Sequence, residues 1–260
     1  GVAASSGSVA AREKFVHGPN VVMRGDVPDS NEECRVRDGL PNVCSRLRSG
    51  KPVTIVYFGG SITQAAGGWR EQSAKWLQDR YPRAIIKAVN AGVGGTGSDL
   101  GAFRTGRDVL AFRPDLVFVE FAVNDGGMEP RRIHATMEGI VRQIKRADPS
   151  TDICFVYTLS GQFLPRMEEG KLWPSMLAME DVAEYYGIPS VQLGTEVVKM
   201  AKAGTLVFQG KIEEHPGKMV FSPDNVHPYA TTGHRLYTEA LARSWERMEA
   251  AGEGGRKSDG

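Results

Sequence analysis

At 260 residues the chain is long enough for one domain with a sizeable core and too short for two once its polar ends are set aside. Lys and Arg number 32 against 31 Asp and Glu, and the formal charge of +1 argues against an electrostatic grip on nucleic acid or anionic lipid as the main business. The near-neutral charge makes a small or neutral substrate the expectation, and no stretch approaches the roughly 20 consecutive apolar residues of a membrane span. Residues 1–20 read as a flexible lead, 21–50 as an irregular segment opening a single domain over 21–250, and 251–260 as a polar, glycine-rich tail. Val53 to Phe58 is a continuous apolar run, as are Ala84 to Val89, Leu116 to Phe121, Ile153 to Tyr157 and Ile188 to Leu193. Unbroken rather than alternating apolarity marks strands covered on both faces.

Helical patterns fill the gaps. Gly68 to Tyr81 ends before Pro82, Ser98 to Phe112 starts on a serine read as its N-cap, and Pro130 to Ala147 carries Ile133, Met137, Ile140, Val141 and Ile144 on one stripe. Trp173 to Tyr186, Thr195 to Ala203 and Tyr229 to Met248 complete the set, while Pro165 to Pro174 and Thr205 to Lys218 read as mixed polar loops edging a shallow cleft. The alternation predicts an α/β chain with an open, mostly parallel sheet and right-handed crossovers, in which function collects at the carboxyl ends of the strands. Cys34, Cys44 and Cys154 have no metal-ligand spacing. Cys154 reads as a buried thiol, and Cys34 with Cys44 could close a short loop or stay free.

What stands after each strand carries the chemistry. Gly59-Gly60-Ser61-Ile62-Thr63 follows the first, and its glycines suggest a sharp turn with φ values that a Cβ would penalise. Asn90 to Gly97 follows the second, Val123-Asn124-Asp125 the third, and Asp224-Asn225-Val226-His227 lies near the C-terminus. Ester cleavage needs this inventory: a serine is a poor nucleophile until an imidazole takes its proton, and the imidazole needs a carboxylate to fix its tautomer. Ser61 is the candidate nucleophile, His227 the base and Asp224 its partner. The Ser61 and Gly95 amides and the Asn124 carboxamide are candidate oxyanion donors. Gly60, Arg70 and Asp125 are candidate substrate contacts, and Trp69 and Trp173 could offer a sugar platform, though Trp69 reads equally well as core. No residue set suggests a metal.

These four blocks resemble those of the SGNH hydrolase superfamily, the GDSL esterases and lipases, from about residue 51 to 245. The resemblance implies a flavodoxin-like three-layer α/β/α sandwich with about five parallel strands, no cofactor, and the roles just given to Ser61, Gly95, Asn124, Asp224 and His227. The superfamily's Gly-Asp-Ser-Leu is Gly-Gly-Ser-Ile here, so Gly60 stands where an aspartate usually braces the nucleophile loop. The variant is similar to a branch linked to bacterial carbohydrate deacetylation, which makes an acetylated carbohydrate the expected substrate, with lipid esters and thioesters as the nearest alternative. Compartment and oligomeric state stay open, with a bacterial secreted or periplasmic setting slightly favoured over the cytoplasm. Two readings of other classes compete. Gly92-x-Gly94-x-x-Gly97, trailed by Glu120 where a ribose-binding acid would stand, matches a dinucleotide loop of an NAD(P)-dependent oxidoreductase. A glycan-binding module that lost its chemistry is the other. Asn124 could also merely cap the helix at Pro130.

Overall fold

A computed structural model describes residues 27–254, so the expected flexible lead and the end of the tail lie outside the described residues. β1 (Cys34–Arg35) and α1 (Pro41–Arg48) precede β2 (Val53–Gly59); a four-residue helix α2 (Ser61–Gln64) and α3 (Trp69–Arg80) lead to β3 (Ile86–Gly92). α4 (Ser98–Asp108), β4 (Leu116–Glu120), α5 (Pro130–Ala147) and β5 (Asp152–Tyr157) follow. Then come α6 (Leu164–Glu168), α7 (Pro174–Tyr186), β6 (Ser190–Gln192), α8 (Thr195–Lys202), the parallel pair β7 (Leu206–Gln209) and β8 (Met219–Ser222), and α9 (Arg235–Gly254).

The main sheet runs β1-β6-β5-β4-β2-β3, with β2 to β6 parallel and β1 antiparallel against β6. Counted among themselves, the five parallel strands stand in the order 2-1-3-4-5, the flavodoxin-like arrangement, which reverses direction beside β2. α1, α3, α8 and α9 pack as one helix layer, and α4, α5 and α7 as the other. This is a three-layer α/β/α sandwich. Every residue of β4 and β5 is buried, as unbroken apolar runs require when both faces are covered.

The register of β2 sets the site. Gly59 lies level with Gly92 of β3 and Glu120 of β4, so three strand ends meet on one edge. Arg104 of α4 secures that edge from below: its guanidinium donates to the carbonyls of Gly59 (2.9 Å) and Ala91 (2.7 Å) and lies over the Phe58 ring.

Several expectations need correction. The segment 21–50 is not irregular where described. Arg35 and Arg37 both grip the buried Glu180 carboxylate at 2.9 and 2.6 Å, and Tyr157 donates to its other oxygen, which docks β1 onto the sheet edge. Cys34 and Cys44 are free and buried, in β1 and α1, so no staple closes that loop. The polar stretches 165–174 and 205–218 contain most of α6 and β7. The last helix begins with a π turn, Ala230–His234, and continues to Gly254, past the expected start of the tail.

Candidate functional site

β2 ends in Gly59, and α2 starts at Ser61 with Gly60 as its N-cap. Gly60 has φ −91°, which any residue adopts, so backbone freedom is not what this glycine supplies. Space is. A Cβ at Gly60 would lie 2.3 Å from Asn124 Oδ1, and one at Gly59 2.6 Å from both the Glu120 carbonyl and Thr63 Oγ1. The paired glycines let the β4 end close directly over and under the turn that carries Ser61.

Across that turn, Ser61 Oγ is 2.8 Å from His227 Nε2, and His227 Nδ1 is 2.7 Å from Asp224 Oδ2. With Nδ1–H donating to the carboxylate, Nε2 is free to accept the serine proton. The loop after β8 builds this pair locally. Asn225 takes φ +74°, a left-handed turn that asparagine tolerates, which brings His227 back onto Asp224. Asp224 Oδ1 then accepts the N–H groups of Val226 (3.0 Å) and His227 (2.8 Å). Partial burial pushes the Asp224 carboxyl up, but the His227 backbone and ring, the Val226 amide and the Ser222 hydroxyl outweigh it and hold the group at about 2. Both partners are half exposed, His227 at 49% and Asp224 at 50%, so the constellation opens to solvent rather than into a tunnel.

The candidate oxyanion donors converge on the same edge. Asn124 is exposed, with its carboxamide over Gly60. Asn124 does not cap α5, whose N-cap position is Glu129. The glycine loop reaches Ser61 at Gly94, where a Cβ would stand 3.7 Å from Ser61 Cβ. The Gly94 amide donates to Gln64 Oε1 at 3.0 Å, and Gly95 follows at φ +71°, where open space but a left-handed backbone calls for glycine.

Two candidate substrate contacts are turned away. Asp125 is buried; its Oδ1 accepts the Ser98 amide at 3.0 Å and so caps α4, displacing Ser98 from the N-cap role. Burial lifts its carboxyl to about 6 against the bonds from Ser98. Arg70 is buried too, donating to the Thr63 carbonyl at 3.1 Å and to Glu71, so it steadies the C-terminal end of α2. Trp69 is core, set edge-on against Tyr57 and Phe118. Half-buried Trp173 stacks on Phe163 and donates to the Gly126 carbonyl at 2.8 Å, pinning the turn that presents Asn124.

Sequence reasoning missed Gln64, Thr63 and the true place of Glu120. Glu120 is fully buried beneath the serine turn, bonded by Thr63 Oγ1 and Thr158 Oγ1 at 2.8 Å each, so it is unavailable to a ribose. Burial raises its carboxyl to about 7, against bonds from Thr158, Thr63 and the Gly60 amide. Its signal was an acid closing a wholly apolar run, which must find donors inside. Among the described residues no group of His, Cys, Asp and Glu could hold a metal, and no helix is long and apolar enough to cross a membrane.

A serine, imidazole and carboxylate in line on the carboxyl edge of a flavodoxin-like sheet define the arrangement of an α/β acyl hydrolase. The chain belongs to the GDSL-like lipase/acylhydrolase family, whose model matches residues 57–236. Among solved structures it is similar to a two-domain esterase (CEX) active on acetylated mannans, with a TM-score of 0.66 and 25% identity over 83% of this chain. The chain spans only 57% of that esterase's length. The fold is shared with a catalytic mutant of Axe2, an acetylxylan esterase from Geobacillus stearothermophilus, with a TM-score of 0.56 and 20% identity over 74% of this chain and 94% of that one. It is shared as well with LAE5, an alpha/beta hydrolase enzyme from the metagenome of Lake Arreo, Spain, with a TM-score of 0.58 and 19% identity over 75% and 96%. No curated protein matches the chain.

Proposed function

We propose that this chain is a serine esterase that removes acetyl groups from carbohydrates through Ser61, His227 and Asp224. The observation that carries the reading is the unbroken line from Asp224 to His227 to Ser61, at 2.7 and 2.8 Å, made by residues 166 positions apart in sequence. Ser61 Oγ attacks the ester carbonyl while His227 Nε2 takes its proton. The Asp224 carboxylate supports the imidazolium that forms. Asn124 and the amides of Ser61 and Gly95 receive the oxyanion, each donor of this kind being worth about 10²–10³ in rate. His227 then protonates the leaving sugar oxygen, and a water deprotonated by the same imidazole releases acetate from Ser61.

The substrate class draws support from two sides. CEX acts on acetylated mannans and Axe2 is an acetylxylan esterase, and both share this fold. The half-exposed catalytic pair suits an oligosaccharide lying across an open edge better than a long acyl tail needing an enclosed groove. Acetate release from acetylated mannan and xylan, with Ser61→Ala as control, is the direct test. Equal or faster cleavage of octanoyl than acetyl p-nitrophenyl esters would overturn the substrate choice, and undiminished hydrolysis by Ser61→Ala would overturn the mechanism.

A further inference from the structure

We propose that Glu120 is a positioning residue for the reaction at Ser61, its buried carboxylate fixing the turn that carries the nucleophile. The inference rests on the serine esterase reading above. Glu120 closes β4 and is wholly buried, yet no Lys or Arg among the described residues pairs with it. Its hydrogen-bond donors are two neutral threonine hydroxyls, and both belong to the turns around the site. Gly60, whose amide helps keep the carboxyl ionised, immediately precedes Ser61. Thr63, whose hydroxyl donates to Oε2 at 2.8 Å, follows it by two residues. Thr158, whose hydroxyl donates to Oε1 at 2.8 Å, comes from the loop after β5 and anchors the carboxylate from the far side.

The serine turn is therefore held from beneath at Thr63, two residues after the nucleophile. Gly59 leaves the room for this: a Cβ there would stand 3.0 Å from Glu120 Oε2 and 2.6 Å from Thr63 Oγ1. Gly60 has no side chain of its own with which to bind the turn, so the bracing comes from the adjacent strand. α2 has only four residues and little intrinsic persistence, which makes an external anchor consequential. The turn requires one acceptor at this place, the oxygen that takes the Thr63 hydroxyl, and a neutral amide of the same shape retains it while the Thr158 hydroxyl reverses to receive its N–H.

The test compares Glu120→Gln with Glu120→Met, which keeps the volume but offers the turn no comparable acceptor, using p-nitrophenyl acetate with Ser61→Ala measured alongside. Glu120→Gln is expected to stay within about fivefold of the parent kcat. Glu120→Met is expected to lose about 10²-fold in kcat with KM within twofold, the penalty of displacing a nucleophile by about 1 Å. Should Glu120→Met fail to fold, Thr63→Val removes the hydroxyl bond from the turn to Glu120 and is expected to lower kcat about tenfold at an unchanged KM. A folded Glu120→Met, or in its absence Thr63→Val, with parental kcat overturns the inference. So does a loss that falls on KM, or a Glu120→Gln variant as damaged as the Met one. If Ser61→Ala is inactive and these results obtain, only the role of Glu120 falls; if Ser61→Ala remains active, the esterase reading falls and takes this one with it.

Discussion

Adding one methyl group at Gly60 should separate activity from stability. The new Cβ would stand 2.3 Å from Asn124 Oδ1, whereas an ordinary Cβ contact begins at 3.4 Å, so the carboxamide must retreat by about 1 Å. Backbone strain is absent, since φ at Gly60 is −91° and alanine adopts that value freely. Asn124 is exposed and its side chain can swing into solvent, so the fold is undisturbed. Restricting the unfolded chain by Gly→Ala at a permitted φ contributes about 0.4–1 kcal/mol in the stabilising direction. Catalysis moves the other way. A donor displaced by about 1 Å from the oxyanion loses most of its effect, and the expected loss is about 10²-fold in kcat, or roughly 2.7 kcal/mol of transition-state stabilisation. The assay is p-nitrophenyl acetate hydrolysis for Gly60→Ala, Asn124→Ala and the double variant, with urea unfolding of each. Because both single changes remove the same donor, the double variant should be no slower than Asn124→Ala. Parental kcat in Gly60→Ala, or losses that multiply in the double variant, would refute both the steric argument and the role given to Asn124.

Replacing Asp224 by Asn leaves the shape of the loop but allows the wrong His227 tautomer, and kcat on p-nitrophenyl acetate should fall by about 10³–10⁴. Recovery of more than a tenth of the parental rate would count against His227 as the base. His234 gives a pH prediction: its buried ring accepts the Trp69 amide at Nδ1, and burial, followed by the charge of His227, lowers it from 6.5 to about 4. The unfolded chain takes up this proton first, so the stability involved is complete above pH 6.5 and is lost as pH falls through 4, to a total of about 3 kcal/mol. Urea unfolding from pH 3.5 to 7.5 should show the difference between parent and His234→Gln varying by about that amount, and a constant difference would refute it.

Much of the architecture was legible because parallel strands and long amphipathic helices announce themselves. Leu116 to Phe121 and Ile153 to Tyr157 were found within a residue of their ends, and α5 matched at both, with Pro130 opening it and a regular apolar stripe along it. The misses share a cause: β1, α6, β7 and the eight-residue α1 are too short for periodicity and are held by distant partners such as Glu180. The same holds for the cap of α4, where a serine at the boundary fits the local rule but the acceptor comes from Asp125, 27 residues away. At the site, the serine, the imidazole, its carboxylate and the asparagine were legible as residue types that ester chemistry requires. What each glycine makes room for was not, because close approach between β2 and β4 is a tertiary fact.

The β4 end shows how such an edge trades stability for geometry. Glu120 and Asp125, five residues apart, are both buried and both raised, to about 7 and about 6, with burial as the leading cause. A group whose folded value is raised favours the folded state most below its ordinary value, so both carboxyls make the fold less stable as pH rises toward neutrality. A chain selected for stability alone would place apolar residues there. Between them stands the turn that ends in Asn124, with Glu120 holding the serine turn and Asp125 holding the start of α4, into which the glycine loop feeds. In the proposed mechanism the two costly groups thus bracket the three backbone segments whose fixed relation would let Ser61, Gly95 and Asn124 act on one carbonyl, and it is at such places that destabilising burial is tolerated.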